Sequence, residues 1–208
     1  MAVSRVAERL LPPRVGVLAL QGAFREHRQA FERLGAEVRE VRLPGQLEGL
    51  SGLVIPGGES TTMAKLMVHY GFDRAIPEFA RGGGGVWGTC AGAIVAAREI
   101  LQYPEQLRFG LVDMAVARNA YGRQRSSFET DLAIDGLAEP FRAVFIRAPR
   151  IIRVGAGVRA LAVYDGDPVA VADGAMVATV FHPELTGDDR FHALVLQLWL
   201  AAATTNGV

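Results

Sequence analysis

The sequence predicts an α/β fold with a mixed, largely parallel central sheet flanked by helices. Three observations carry that expectation. The chain opens on a strand–helix–strand pattern, and a helical crossover between neighbouring strands makes them parallel. Its early strands are continuous apolar runs, as a sheet covered on both faces requires. Its last third changes character: short strands separated by Asp-Gly turns signal antiparallel hairpins.

Composition sets the outer bounds. The 208 residues suffice for one domain with a full central core. Half are hydrophobic and 21% are charged, so the chain is globular and not disordered. Lys+Arg and Asp+Glu both number 22, and no basic field argues for nucleic acid or an anionic membrane as partner. No apolar run reaches membrane-spanning length. A single cysteine excludes an internal disulfide and fits a reducing compartment, so a cytoplasmic location is expected. Residues 1–13 carry charges, end in Leu10-Leu11-Pro12-Pro13 and lack a signal-peptide core. They read as an N-terminal extension, leaving 14–208 as a single domain.

In order, the first apolar run covers 14–20 and stops at Gln21-Gly22. The spacing of Phe31 and Leu34 predicts a helix over 26–34, stopped by Gly35. Alternation over 37–43 gives a second strand, and Gly52-Leu53-Val54-Ile55 a third. The third runs into Pro56-Gly57-Gly58-Glu59-Ser60-Thr61-Thr62, which is either a plain turn capped by Ser60 or a set of amides aimed at a ligand. Helices follow over 63–70 and 73–81. The run Gly82-Gly83-Gly84-Gly85 lacks the Gly-Lys-Ser/Thr ending of a phosphate loop and reads as a flexible connector. A strand closing at Val86-Trp87 leads to a helix over 91–101. Further strands are predicted at 113–117, 128–134, 141–146, 158–164, 168–172 and 175–181, with hairpin turns at Asp165-Gly166-Asp167 and Asp173-Gly174. A last helix over 189–203 gathers Phe191, Leu194, Val195, Leu198 and Trp199 on one face.

Two constellations carry chemistry. The lone cysteine stands in Gly88-x-Cys90-x-Gly92, at a switch from strand to helix. A buried small hydrophobe is the ordinary role of such a cysteine. Glycines two residues away on each side instead describe a nucleophile elbow, where backbone passes close to a strained residue. There the thiol leaves the sheet at a helix N-terminus, beside amides able to receive an oxyanion. The second is Phe181-His182-Pro183-Glu184. In an extended segment residues two apart point the same way, so Glu184 can fix the tautomer of His182; a surface turn is the alternative. His27, His69 and His192 lie in amphipathic helices, where solvated or packing roles are expected, and none has a metal-ligand companion at suitable spacing.

Gly-x-Cys-x-Gly followed far downstream by His-Pro-Glu resembles the class I, triad-type glutamine amidotransferases. Leu20-Gln21-Gly22-Ala23, Pro56-Gly57-Gly58-Glu59-Ser60-Thr61-Thr62-Met63, Gly88-Thr89-Cys90-Ala91-Gly92, Arg118-Asn119 with Gly122-Arg123-Gln124, Phe145-Ile146-Arg147-Ala148-Pro149 and Phe181-His182-Pro183-Glu184-Leu185-Thr186 resemble, in order, the signatures of the glutaminase subunits of pyridoxal 5′-phosphate synthases. The resemblance implies a flavodoxin-like three-layer fold and hydrolysis of L-glutamine. Cys90 would be the nucleophile, His182 the proton carrier and Glu184 its orienting carboxylate. Gly57, Gly58 and Ala91 would form the oxyanion hole. Gly58, Glu59, Ser60, Arg118, Ile146 and Arg147 would bind glutamine, with either arginine suited to its α-carboxylate. No cofactor and no metal are implied. The partner would be a synthase subunit that accepts the ammonia and activates the glutaminase. Gly57-Gly58 is the pair whose peptide could turn on docking, with Gln21 as its brace. Other cysteine hydrolases and peptidases share the elbow but place the histidine soon after the cysteine. A non-catalytic binding subunit would be expected to have an incomplete triad.

Overall fold

The computed structural model describes residues 12–118 and 127–205. Expectations for residues 1–11, Asn119 and Gly122-Arg123-Gln124 lie outside the described residues. The centre is a seven-stranded sheet. β1 (Arg14–Leu18) runs parallel between β2 (Glu37–Val41) and β3 (Gly52–Ile55), and β4 (Gly85–Thr89) continues the parallel set beside β3. α1 (Phe24–Arg33) makes the first crossover, and α2 (Ser60–Tyr70) with α3 (Phe72–Arg81) makes the one from β3 to β4. A six-residue helix, α4 (Ala91–Ala96), leaves β4.

Three small-sheet strands come next: β5 (Ala97–Ile100), β6 (Val112–Ala117) and, after the hairpin of β7 (Ser127–Leu132) and β8 (Phe141–Ile146), β9 (Arg150–Val154). The chain then re-enters the main sheet through β10 (Arg159–Tyr164), β11 (Asp167–Asp173) and β12 (Met176–Thr179). These are antiparallel to one another, while β12 lies parallel to β4, giving the order β10-β11-β12-β4-β3-β1-β2. α5 (Arg190–Thr205) closes the chain. The sheet is mixed and mostly parallel, as the sequence predicts.

Alternation along the apolar runs explains the three layers. Val15, Val17, Val54 and Trp87 face a core completed by Phe31 of α1 and by Phe191, Val195 and Trp199 of α5. Leu53, Ile55 and Val86 face the opposite core, against Met63, Met67, Phe72 and Ile76 of α2 and α3. Each such fully buried side chain contributes roughly 1.5–3 kcal/mol of burial. Among the described residues no helix is long and apolar enough to cross a membrane.

Three expectations are corrected. The helix predicted over 91–101 ends at Ala96, and Ala97–Ile100 is instead β5, paired parallel with β6. Ala-Arg-Glu-Ile favours helix by propensity, but pairing with β6 and burial of Ala97 and Ile100 override it. Residues 150–154 form a strand the sequence did not announce, since two arginines bracket Ile151 and Ile152 without a clean alternation. The glycine run is also less slack than a connector: Gly85 opens β4 beneath the indole of Trp199, where a Cβ would collide with the ring.

Candidate active site

The elbow forms as its glycines require. β4 ends at Thr89, α4 begins at Ala91, and Cys90 between them holds φ 49° and ψ −101°. A β-carbon at such a positive φ is strained by about 1–3 kcal/mol, which the surroundings must overcome. They do so by close contact. A Cβ on Gly92 would strike the Ile55 carbonyl, and one on Gly88 would strike the backbone of Gly92. The Cys90 amide donates to the Thr179 carbonyl at 2.8 Å, tying the elbow to β12. The thiol faces the Ile146 carbonyl at 3.9 Å. With six residues, α4 offers a smaller dipole than the predicted helix would.

His182 follows β12, and its amide donates to the Val144 carbonyl at 2.8 Å. Its Nδ1 meets Glu184 Oε1 at 2.8 Å. The segment is not extended: Pro183–Leu185 is a 3₁₀ turn, and the turn brings the carboxylate back beneath the ring. Burial pushes the imidazole pKa down, but hydrogen bonds to Cys90 and Glu184, and the charges of both, hold it up at about 10. The ring faces the sulfur with its charged form favoured by these partners.

The remaining sequence-derived residues surround a pocket of about 280 Å³. Gly58, Glu59, Ser60, Arg118, Ile146 and Arg147 line it together with Cys90, Ala91 and His182. Glu184 sits behind His182 and out of the pocket. Gly57 is not part of the lining either, but its Cα lies so close to the His182 ring and Cys90 Cβ that no side chain fits. Its carbonyl packs against Gly22, which leaves the trans peptide's own N–H, that of Gly58, pointing the other way. The Gln21 amide donates to the Glu59 carbonyl at 2.9 Å, bracing this loop.

Glu59, not Ser60, caps α2. Its carboxylate accepts from the amides of Thr61 (3.0 Å) and Thr62 (2.7 Å), and these bonds hold its pKa down at about 2. Arg118 is drawn to the pocket by Gln106 Oε1 at 2.6 Å, by the Tyr103 ring at 4.4 Å and by Glu59 at 3.7 Å. Arg147 holds φ 44°, a second strained residue at the pocket. His69 lies exposed against Tyr70.

Sequence reasoning missed the support behind the triad. His27 and His192 are fully buried and meet at 2.9 Å, and His27 Nε2 reaches Thr89 Oγ1 at 3.3 Å and Glu184 Oε2 at 3.4 Å. Trp87 lies 5.1 Å from the His27 ring and 5.0 Å from that of His192. The available signal was the placement of His27 with Ala30 and Phe31 on the buried stripe of α1. No metal-ligating cluster occurs among the described residues.

Comparison with known proteins points to the glutamine amidotransferases. The model of the SNO glutamine amidotransferase family matches residues 17–200. The chain is 56% identical over 188 residues to "Pyridoxal 5′-phosphate synthase subunit PdxT" of Deinococcus radiodurans, covering 88% of this chain and 96% of that one. It is 55% identical over 185 residues to a protein of the same name from Thermus thermophilus, with 88% and 96% covered. Among solved structures it is similar to a glutamine amidotransferase at 52% identity and a TM-score of 0.85, covering 89% of this chain and 98% of that one. A Thermotoga maritima PurLQS structure, 18% identical with a TM-score of 0.66 and covering 92% of this chain and 99% of that one, shares the fold.

Proposed function

The chain belongs to the SNO glutamine amidotransferase family, and from that premise we propose that it is the glutaminase of a pyridoxal 5′-phosphate synthase. It hydrolyses L-glutamine to L-glutamate and ammonia and delivers the ammonia to the synthase subunit. The observation that carries this reading is the strained Cys90 facing an imidazole whose far nitrogen is held by a buried carboxylate.

The Cys90 sulfur attacks the side-chain amide carbon of glutamine, and the carbonyl electron pair moves onto oxygen. The amides of Gly58 and Ala91 receive that oxyanion, with Gly57 supplying the turn that presents the first and the Cys90 elbow presenting the second. His182 gives its proton to the amide nitrogen, the C–N bond breaks, and ammonia leaves a thioester on Cys90. His182, now neutral, takes a proton from water. The resulting hydroxide displaces the sulfur as thiolate, and glutamate departs with the added oxygen. Glu184 keeps the ring oriented and its charged form stable through both halves. At the other end of the pocket, Arg118 or Arg147 pairs with the substrate α-carboxylate, and Glu59, anionic at every physiological pH, complements its ammonium. Ser60 and Ile146 complete the cradle, and residues 14–208 act as one domain.

The synthase also activates the glutaminase: docking turns or firms the Gly57–Gly58 peptide, which Gln21 braces from behind. A lone reactive thiol suits the cytoplasm. The test is glutamate release by the purified chain while a synthase subunit is titrated in. Weak release alone, rising with the partner to saturation, is expected. No release under any condition would remove the glutaminase reading, and full release unchanged by a bound partner would remove the activation.

A further inference from the structure

We propose that His27 is a positioning residue for this reaction: it holds the second carboxylate oxygen of Glu184, and His192 sets the tautomer in which it can do so. The inference deepens the glutaminase reading and rests on it.

Glu184 Oε1 is engaged by His182 at 2.8 Å. Oε2 is buried and, among the described residues, has no hydrogen bond of good geometry. Half a carboxylate left bare in the interior is costly, because its lost hydration goes uncompensated. The donor beside it is His27 Nε2 at 3.4 Å, whose other neighbour is Thr89 Oγ1 at 3.3 Å. His27 is fully buried in α1, far in sequence from the triad, so its presence there comes from the fold and not from local chain geometry.

The proton positions follow from chemistry. His27 Nε2 bonds Thr89 Oγ1 at 3.3 Å and lies 3.4 Å from Glu184 Oε2; because a carboxylate only accepts, a proton on Nε2 suits both neighbours, whereas a bare Nε2 would set lone pair against lone pair. Burial, with His192 and His182 nearby, holds the His27 pKa well below its ordinary value, so the ring is neutral and carries one proton. Its Nδ1 is then an acceptor. At 2.9 Å from that nitrogen stands His192 Nε2, which must therefore be the donor. His192 is also neutral, its pKa pushed down to about 4 chiefly by burial. Its remaining nitrogen, Nδ1, must be bare, and Nδ1 is the one His192 atom that is buried without a partner. An unpartnered acceptor there is the cost of aiming the other N–H bonds in one direction. The chain of donors runs from His192 to His27 to Glu184, which in turn accepts from His182.

The consequence is rotational. Glu184 lies on a short turn, and one bond to His182 would leave the carboxylate free to swing about that contact. A donor on Oε2 fixes its plane, and the plane fixes the imidazole that faces Cys90. No proton needs to travel along the relay.

The experiment uses the glutaminase–synthase complex. His27→Leu should lower kcat by about 10–100-fold, the scale of lost supporting partners at active sites, with KM within about twofold. The alkaline limb of its kcat profile should move to lower pH, because a loosened Glu184 holds the His182 proton less firmly. His27→Gln, which keeps an N–H donor, should recover most of the loss. In a Glu184→Gln background the His27→Leu loss should shrink to less than about threefold, since coupled residues are not additive. Unchanged kcat, a limb that stays put, no recovery by glutamine, or full additivity would overturn the proposal. If His27→Leu does not fold, nitrogen-15 NMR of the histidine-labelled wild-type chain decides: Nε2–H, Nδ1-bare His27 supports the relay, and the other tautomer or a cation at neutral pH ends it. Failure of the glutaminase reading itself would show separately, as a wild-type complex that releases no glutamate.

Discussion

The two walls of the pocket are built in opposite ways. Behind Cys90 and His182 every group is buried and joined to another: Glu184, His27, His192 and Thr89 form one connected interior. Facing them, Glu59, Arg118 and Arg147 stand at element ends and connections, with 54% of the Glu59 side chain exposed and Arg118 lying over the half-exposed Tyr103, while Ser60 alone of this wall is buried. The reacting atoms are thus fixed by the fold before substrate arrives. The groups proposed to hold the substrate's ends sit where the chain can still adjust. Damage to the inner wall should appear in kcat, and damage to the rim in KM.

The sharpest break is Cys90→Ala. Turnover in the complex should fall to background, and labelling by an electrophilic glutamine analogue should vanish with the thermal midpoint nearly unchanged. Glutamate release at an undiminished rate would discard the mechanism. Next comes the inner wall proper. His182→Asn should cost about 10²–10⁴-fold in kcat, the range for a lost acid–base group. Glu184→Gln should cost less, because it orients the proton carrier without being one. The reverse ranking in steady-state kinetics would contradict these roles.

Arg118→Ala probes the rim. Losing a charge-assisted bond of about 1.5–3 kcal/mol should raise KM roughly 10–100-fold while kcat holds. A collapse of kcat with KM unchanged would show that the two walls are not separable.

Acid should strain the inner wall first. His192 has a folded pKa of about 4 against an ordinary 6.5, so the unfolded chain binds its proton more readily. Stability contributed by the neutral ring is complete above the ordinary pKa and is lost as pH falls from 6.5 towards 4. Denaturant midpoints over that window should drop, and drop less in a His192→Asn variant. The smallest effect belongs to Glu59→Ala, which removes the cap of α2 at about 1 kcal/mol. Its folded pKa is depressed, so this contribution is present above pH 4.5 and fades as pH falls towards 2. Solvent screening at so exposed a carboxylate weakens the charge component further. A variant as stable as wild type at pH 7 would reassign the cap.

What is legible in the sequence divides along the same line. The parallel strands are readable because burial on both faces leaves continuous apolar runs, and the elbow because close approach at Gly88 and Gly92 admits no other residue. His182 and Glu184 are readable through short-range spacing, although a 3₁₀ turn and not an extended segment brings them together. Ser60 is the expected cap because serine usually serves as one, whereas Glu59 reaches the same amides. His27 and His192 are not legible as a pair: they stand 165 positions apart, and only the packing of α1 and α5 on one face of the sheet joins them. β5 and β9 escape a sequence reading because each depends on the partner strand β6 and not on its own pattern.

The placement of Trp87 gives the inner wall an optical readout. Its indole lies edge-on to both buried imidazoles, so its emission senses the charge state of the groups that support Glu184. A protonated imidazole quenches indole fluorescence far more than a neutral one. In a Trp199→Phe background, the chain's other tryptophan being Trp199, emission should dim as pH falls towards 4 and do so before the fold is lost. The enzyme would then report the integrity of its own catalytic support without substrate, partner or added dye.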